Sequence, residues 1–269
     1  APGAGLAAPA LNSAAHAAVF EGWAADREDA MARIAAGDIG LAAAQDHGCV
    51  VPLAAVLSPS QQVQVVVDAN QPARRCHAAL NGGNGPAMRL GLPDAAVVAH
   101  LRWLNGPLAD ALRPACRADV ELLAVADAAL AQGDDCHGRT VAGTALLAER
   151  YQAVGGLDPA GAAARFLADS PGFFLNVWMA AAKCMLSAAE GIAGSAMVTA
   201  MGGNGIEVGI QLAAAPGRWI TAPASPPVGN LLDGFGAADC LPAIGDSAVI
   251  EALGLGAMAM AHAPQQAAA

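Results

Sequence analysis

Ser170-Pro171-Gly172-Phe173-Phe174-Leu175-Asn176-Val177-Trp178-Met179-Ala180-Ala181-Ala182-Lys183-Cys184-Met185-Leu186-Ser187-Ala188-Ala189-Glu190-Gly191 is the stretch on which the fold turns. Ser170 is a good N-cap, because a hydroxyl there accepts a backbone N–H that the first helical turn leaves free. Proline suits N1, where the missing N–H is no loss, and glycine suits the left-handed position past the last turn. The spacing predicts a helix ending at Glu190, the most apolar in the chain. Upstream, residues 93–190 keep a helical texture, cut into segments by Pro93, Gly106-Pro107, Gly133, Gly155-Gly156 and Asp158-Pro159. Downstream the texture changes: residues 196–200, 206–212 and 219–221 resemble strands, a Pro/Gly-rich loop spans residues 222–241, and Asp246 is placed to cap a helix through Met260.

The N-terminal third is mixed. Residues 11–36 read as helical, with Asn12 or Ser13 as cap and Asp26 opening a second segment through Ile34. A short apolar run, residues 39–43, follows; residues 50–57, 63–67 and 76–80 then read as strands, the last running into Asn81-Gly82-Gly83-Asn84-Gly85-Pro86. Strands, then helices, then strands again predict an α+β fold: a mixed-sheet domain made of residues 1–92 and 191–269, interrupted by a helical subdomain at 93–190. An alternating βαβ pattern fits this order less well.

Composition narrows the function classes. In 269 residues, 55% are hydrophobic and 13% charged, enough apolar material for a large core. Thirteen basic against 23 acidic residues leave a formal charge of −10, which repels phosphate backbones and anionic lipid, so nucleic acid and membrane surfaces are not expected as partners. A membrane-spanning helix needs roughly 20 apolar residues, and the longest candidate, residues 173–189, carries Asn176 and Lys183. Six scattered cysteines without a CxxC pair read as reduced thiols, and the two Cys-His dipeptides lack zinc spacing. A soluble, cytoplasmic protein without metal or cofactor is expected. The chain opens without methionine and closes on Gln-Gln-Ala-Ala-Ala, which suggests a trimmed fragment.

In so apolar a chain the polar residues stand out. His47, in Asp46-His47-Gly48 between two strand candidates, is placed for acid/base work, or is a loop histidine satisfied by its own turn. The run Gly133-Asp134-Asp135-Cys136-His137-Gly138-Arg139 concentrates carboxylates, a thiol, an imidazole and a guanidinium between helices; the alternative is that its acids cap the next helix. Lys183, the only lysine, shares a helical face with Asn176, and the two can hold a ligand oxygen or belong to a polar stripe facing water. Ser58-Pro59-Ser60 and the loop from Asn81 to Arg89 offer hydroxyls, glycine N–H groups and a guanidinium suited to a small dianion, or are turns. Gly-Gly-Asn-Gly recurs at 202–205, beside Glu207. No Walker loop, dinucleotide fingerprint, GxSxG elbow or HExxH is present.

Taken in order, several stretches resemble one family: Asp46-His47-Gly48 with Ser58-Pro59-Ser60, Asn81 to Gly85 with Arg89, Gly133 to His137, Phe173 to Lys183, Val198 to Met201, Asn204-Gly205-Ile206-Glu207, and Gly245-Asp246-Ser247-Ala248. They look like the YlbE-type family, linked to one subunit of the allantoin-pathway oxamate carbamoyltransferase, and the likeness runs from about Phe20 to Ala263. It departs at Gly138-Arg139-Thr140 and Gly202-Gly203. The resemblance implies an α+β body with a helical subdomain, preceded in the family by a nucleotide-binding-like portion. It also implies interconversion of oxalurate and phosphate with oxamate and carbamoyl phosphate, together with other subunits.

Carbamoyl transfer needs anion binding, oxyanion stabilisation and proton management. On that reading Gly83, Asn84, Gly85 and Arg89 cradle one anion, and Arg139 and Lys183 hold the other. Asn176 and Asn204 polarise a carbonyl, His47 or His137 moves the proton, and Ser58, Ser60 and Glu207 complete the substrate contacts. All should then converge on one hollow. Two other readings stand beside it: a hydrolase or acyltransferase with Cys136 or Cys76 as nucleophile, and a scaffold subunit that binds a metabolite while another subunit does the chemistry.

Overall fold

The protein is described from a computed structural model covering residues 5–231 and 233–268. Pro9 presets the first turn of α1 (Ala8–Phe20), so this helix starts ahead of the residues expected to cap it. Asn12 and Ser13 instead lie inside α1 and reach across the fold: Asn12 Nδ2 donates to the Gly91 carbonyl (2.9 Å) and Ser13 Oγ to that of Met88 (2.8 Å). Asp26 caps α2 (Arg27–Ala36) as expected, accepting from the Asp29 N–H at 2.9 Å.

The first sheet holds β1 (Cys49–Val50), β2 (Val63–Val67) and β3 (Arg75–Ala79) in the order β1-β3-β2, with β1 parallel and β2 antiparallel to β3. The strand expected over 50–57 stops at Val50, because Pro52 has no N–H for a ladder and Leu53 adopts φ +46°. Helices follow: α3 (Ala96–Trp103), a π-helical turn at Leu104–Leu108, α4 (Ala109–Leu112), α5 (Leu122–Ala131), α6 (Val141–Ala153), α7 (Ala162–Ala168) and α8 (Phe173–Ser187). The second sheet is antiparallel throughout: β4 (Val198–Asn204), β5 (Glu207–Leu212), β6 (Ile220–Pro223) and β7 (Ile244–Gly245), ordered β6-β5-β4-β7. The helix expected from Asp246 through Met260 is broken. One turn, α9 (Ala248–Glu251), gives way to Gly254 and Gly256, at φ +81° and +67°, then to a 3₁₀ segment, Gly256–His262, and α10 (Pro264–Ala267). Segregated sheets and helices make this an α+β fold.

α8 organises the core. Twelve of its 15 residues are buried, including Asn176 and Lys183, so it shows water almost no face and its two polar side chains must find partners inside. It packs on β3 and β2 on one side, on β4 and α9 on another, and on α6. One apolar cluster runs from Val50 and Ala78 of the first sheet through Leu108, Leu147, Phe174 and Trp178 to Val249 and Ile250. Its N-terminus is satisfied from a distance: Thr144 Oγ1 accepts the Phe174 N–H (3.0 Å) and donates to the Pro171 carbonyl (2.8 Å), while the cap position falls on Gly172 instead of Ser170. Past its end Gly191 takes φ +85° and donates its N–H to Ala213 at 2.7 Å. Among the described residues no helix is long and apolar enough to cross a membrane.

Candidate functional site

β3 delivers the chain into the first Gly-Gly-Asn-Gly turn, and the buried Asn81 builds that turn. Its Oδ1 accepts the Gly83 N–H (2.8 Å), and its Nδ2 donates to the Gly172 carbonyl and to Asn176 Oδ1, both at 2.9 Å. Asn176 Nδ2 in turn donates to the Ala79 carbonyl at 2.8 Å, so the amide pair ties the start of α8 to the end of β3. Gly83 sits at φ +63°, and a Cβ there would lie 2.4 Å from Ser170 Oγ, so both backbone shape and close packing call for glycine. His100 Nε2 donates to the Gly82 carbonyl (2.8 Å), and Asn84 Nδ2 to that of Asp169 (2.9 Å).

Arg89 is the unbalanced member. Its Nη2 donates to the Gly83 carbonyl at 3.0 Å, its Nε is buried with no partner, and Nη1 is neither bonded nor buried. Among the described residues no carboxylate stands within ion-pair distance of it. Burial lowers its pKa, yet a guanidinium stays charged at any neutral pH. A charge partly withdrawn from water calls for an opposite charge. Arg89, Gly82, Gln61 and Asn176 line a cavity of about 30 Å³ with apolar neighbours from Val56 to Leu104.

A second polar centre occupies the loop between α5 and α6. Asp134 is fully buried, and its carboxylate meets the first turn of α6 by accepting the backbone N–H of Gly143 at 2.8 Å. Burial pushes its pKa up against the backbone N–H groups at the head of α6 and the nearby Arg139. Arg139 Nε stands 3.5 Å from Asp134 Oδ1, and neither atom has a hydrogen bond. Asp135 Oδ1 accepts the N–H groups of both His137 and Arg139 at 2.8 Å. His137 Nδ1 lies 2.6 Å from Oε1 of Glu251, a residue the sequence did not flag. Cys136 is buried at φ +62°, and burial first, then Asp134 and Asp135, push its thiol up to about 12; burial does the same for Cys76, also to about 12. Neither is a thiolate at neutral pH, which speaks against a cysteine nucleophile.

The third centre joins α8 to the second sheet. Lys183 Nζ donates to Glu190 Oε1 (2.7 Å) and to the Thr199 carbonyl (2.9 Å). Nearby, Asp246 accepts from Gln45 Nε2 (2.8 Å) and the Val51 N–H (3.0 Å). Its carboxyl is pushed up to about 6, by burial first and also by Asp46, against those hydrogen bonds and Lys183. Asp46 accepts from Gln211 Nε2 (2.6 Å) and Trp219 Nε1 (3.0 Å), while His47 beside it is exposed.

The remaining residues lie apart. Ser58 and Ser60 donate to the two oxygens of Glu21 at 2.6 and 2.5 Å, so their hydroxyls serve a carboxylate of the chain itself. Asn204 Oδ1 accepts the N–H groups of Ile206 (2.9 Å) and Glu207 (2.7 Å), which closes the β4–β5 turn, and Glu207 accepts from Thr221 Oγ1 at 3.4 Å. Convergence on one hollow is therefore partial. Arg89 and Asn176 line one cavity, and Gly83 borders it through its carbonyl on Arg89, while Asn84 and Gly85 are exposed outside its lining; His137 and Arg139 share a second loop; neither they nor Lys183 line the cavity at Arg89. The first and third groups form where α8 meets another element and the second where the α5–α6 loop meets α6 and α9, contacts that residue spacing alone does not show.

The family described as Oxamate carbamoyltransferase subunit AllG matches residues 39–247. The chain belongs to this family. Over 267 residues it is 31% identical to the Oxamate carbamoyltransferase subunit AllG of Escherichia coli K12, covering 96% of the chain and 64% of that AllG protein. It is 33% identical over 255 residues to the uncharacterized protein YahG of the same organism, covering 92% of the chain and 54% of YahG. A crystal structure of a conserved protein of unknown function from Enterococcus faecalis V583 superposes with a TM-score of 0.87 at 32% identity, over 96% of this chain and 63% of that one. The chain thus spans between half and two thirds of the AllG and YahG sequences, and residues 81–89, 133–139 and 202–207 fall inside the AllG match, whereas Glu251 lies beyond its end.

Proposed function

We propose that the chain is the anion-holding part of a carbamoyltransferase that interconverts oxalurate and phosphate with oxamate and carbamoyl phosphate, acting with other subunits. The observation that carries this reading is Arg89: a guanidinium with an orphaned Nε, no carboxylate partner among the described residues and a glycine-built turn beside it. Every substrate and product of that reaction is an anion, and membership of a family described as a carbamoyltransferase subunit supports the reaction class. In this reading Arg89 and the Gly83–Gly85 backbone hold the phosphate-bearing species. Asn176 and Asn81 act as positioning residues, because their amides are spent on fixing the turn. His137 and Arg139, on the other loop, manage the proton and the second anion, with the substrate spanning the head of α8, where Gly83 packs on Ser170 and Thr140 Oγ1 donates to the Pro171 carbonyl at 3.3 Å.

Calorimetric titration with phosphate and carbamoyl phosphate tests it. Arg89→Gln is expected to weaken binding of both at least tenfold, about 1.4 kcal/mol, with the fold intact by circular dichroism. Affinity unchanged within twofold removes the anion site from Arg89.

A second reading, that the chain binds metabolite while another subunit supplies reacting groups, is favoured by how many expected ligands are already engaged. Lys183 is bonded to Glu190 and Thr199, and Ser58 and Ser60 to Glu21. An isolated chain that binds carbamoyl phosphate and turns over only with its partner subunits supports that division of labour.

A further inference from the structure

His137 and Glu251 come from segments 114 residues apart, and their contact is partly buried. Asp135 Oδ1 takes the N–H groups of His137 and Arg139, which fixes the loop that carries the imidazole. Glu251 stands at the end of α9 and also accepts the Ala257 N–H at 3.2 Å. Beside the pair runs Gly256, whose N–H donates to the Asp135 carbonyl (2.9 Å). A Cβ on Gly256 would fall 2.0 Å from Glu251 Oε1 and 2.9 Å from His137 Nδ1, at φ +67°, so the backbone grazes the pair and only glycine fits.

The two imidazole nitrogens are treated differently. Nδ1 faces the carboxylate at 2.6 Å, whereas Nε2 has no hydrogen bond among the described residues and is not buried. A carboxylate at Nδ1 holds the neutral ring in the tautomer with its proton on Nδ1, which leaves the Nε2 lone pair outward. On the same loop the Arg139 guanidinium turns its Nε toward the buried Asp134 at 3.5 Å, an ion pair without a hydrogen bond. One short segment thus presents an oriented base and a cation.

We infer that Glu251 is the positioning residue of a proton-transfer pair in which His137 Nε2 is the acting atom. This deepens the proposed carbamoyl transfer and rests on it for the identity of the substrate. In that reaction an oxygen of hydrogen phosphate forms a bond to the carbamoyl carbon of oxalurate, and the bond from that carbon to the oxamate nitrogen breaks. The phosphate loses one proton and the departing nitrogen gains one. His137 Nε2 accepts the first and returns it to the second, so the ring ends as it began, with Nδ1–H held by Glu251 throughout.

Two measurements separate the geometry from the chemistry. Nitrogen-15 spectra of the chain at a pH where His137 is neutral should show the proton on Nδ1. Glu251→Ala should revert the ring to the Nε2-protonated form that a free histidine side chain prefers, while Glu251→Asp should retain part of the Nδ1-protonated population. A wild-type ring protonated on Nε2 overturns the inference, whatever the variants do. In the enzyme assembled with its other subunits, His137→Gln is expected to lower kcat by roughly 10² to 10⁴. Glu251→Gln should lower it by less, with KM for carbamoyl phosphate within twofold. If Glu251→Gln leaves kcat unchanged although the tautomer is as stated, the pair is structural only. If no variant or wild-type assembly turns over these substrates yet the tautomer holds, the carbamoyl-transfer reading fails and the oriented imidazole stands.

Discussion

Lys183 Nζ lies 2.7 Å from Oε1 of Glu190, a residue beyond the end of the helix that carries the lysine. The lysine side chain is 4% exposed and the glutamate 32%, so the pair is buried at one end and open to water at the other. The contact draws the post-helical turn back over α8 just before the chain enters β4.

Lys183→Met should therefore cost less than the loss of a fully buried ion pair. The glutamate left behind can hydrate, and a decrease in stability of about 1–2 kcal/mol is expected. Urea denaturation measures it. A role in the reaction would add a fall in kcat at temperatures where the variant is fully folded; an unchanged kcat there limits Lys183 to holding the turn.

Gly83→Ala and Gly22→Ala form a matched pair. Both glycines have positive φ, +63° and +73°, but a Cβ on Gly22 meets nothing within 4 Å, whereas on Gly83 it meets Ser170 Oγ at 2.4 Å and Phe166 at 2.9 Å. The Gly22 variant should lose about 1 kcal/mol for backbone conformation, and the Gly83 variant about 1–3 kcal/mol more from overpacking. Equal losses by thermal denaturation would show that the turn yields freely against Phe166.

Asp246 gives a pH signature. Its carboxyl is pushed up to about 6 from an ordinary 3.8, so between those values the native state holds more protons than the unfolded one and stability falls as pH rises. The stability of the wild type relative to Asp246→Asn should drop by about 1–3 kcal/mol from pH 4 to pH 6, then level off. A flat difference across that window would mean the carboxyl titrates as it does in water.

What the sequence made legible was local. Asp26 before α2 and Gly191 after α8 act through neighbouring backbone, and both stand where spacing put them. Asn12, Ser13 and Ser170 carried the same signal but do not cap. Pro9 starts α1 earlier, and the free N–H at the head of α8 is met by Thr144, thirty residues away. The break between α9 and the 3₁₀ segment was written in Gly254 and Gly256, whose φ values end a helix, but a sequence rich in glycine offers many such breaks. The α+β order and the AllG family could be read from patterns along the chain. The site could not be read in the same way: Arg89 with Asn176, and His137 with Glu251, meet only because α8 and α9 bring distant segments together.

The Gln45 side chain has a consequence for how the molecule is made. Its amide bonds to Met201, 156 residues on, and to Asp246, 201 residues on, and the Val51 N–H reaches the same carboxylate. A growing polypeptide leaves the ribosome N-terminus first, so the segment around β1 emerges long before these acceptors have been synthesised. Until translation passes Asp246 that segment has no permanent partners there, and early termination anywhere upstream leaves the first sheet without its lock.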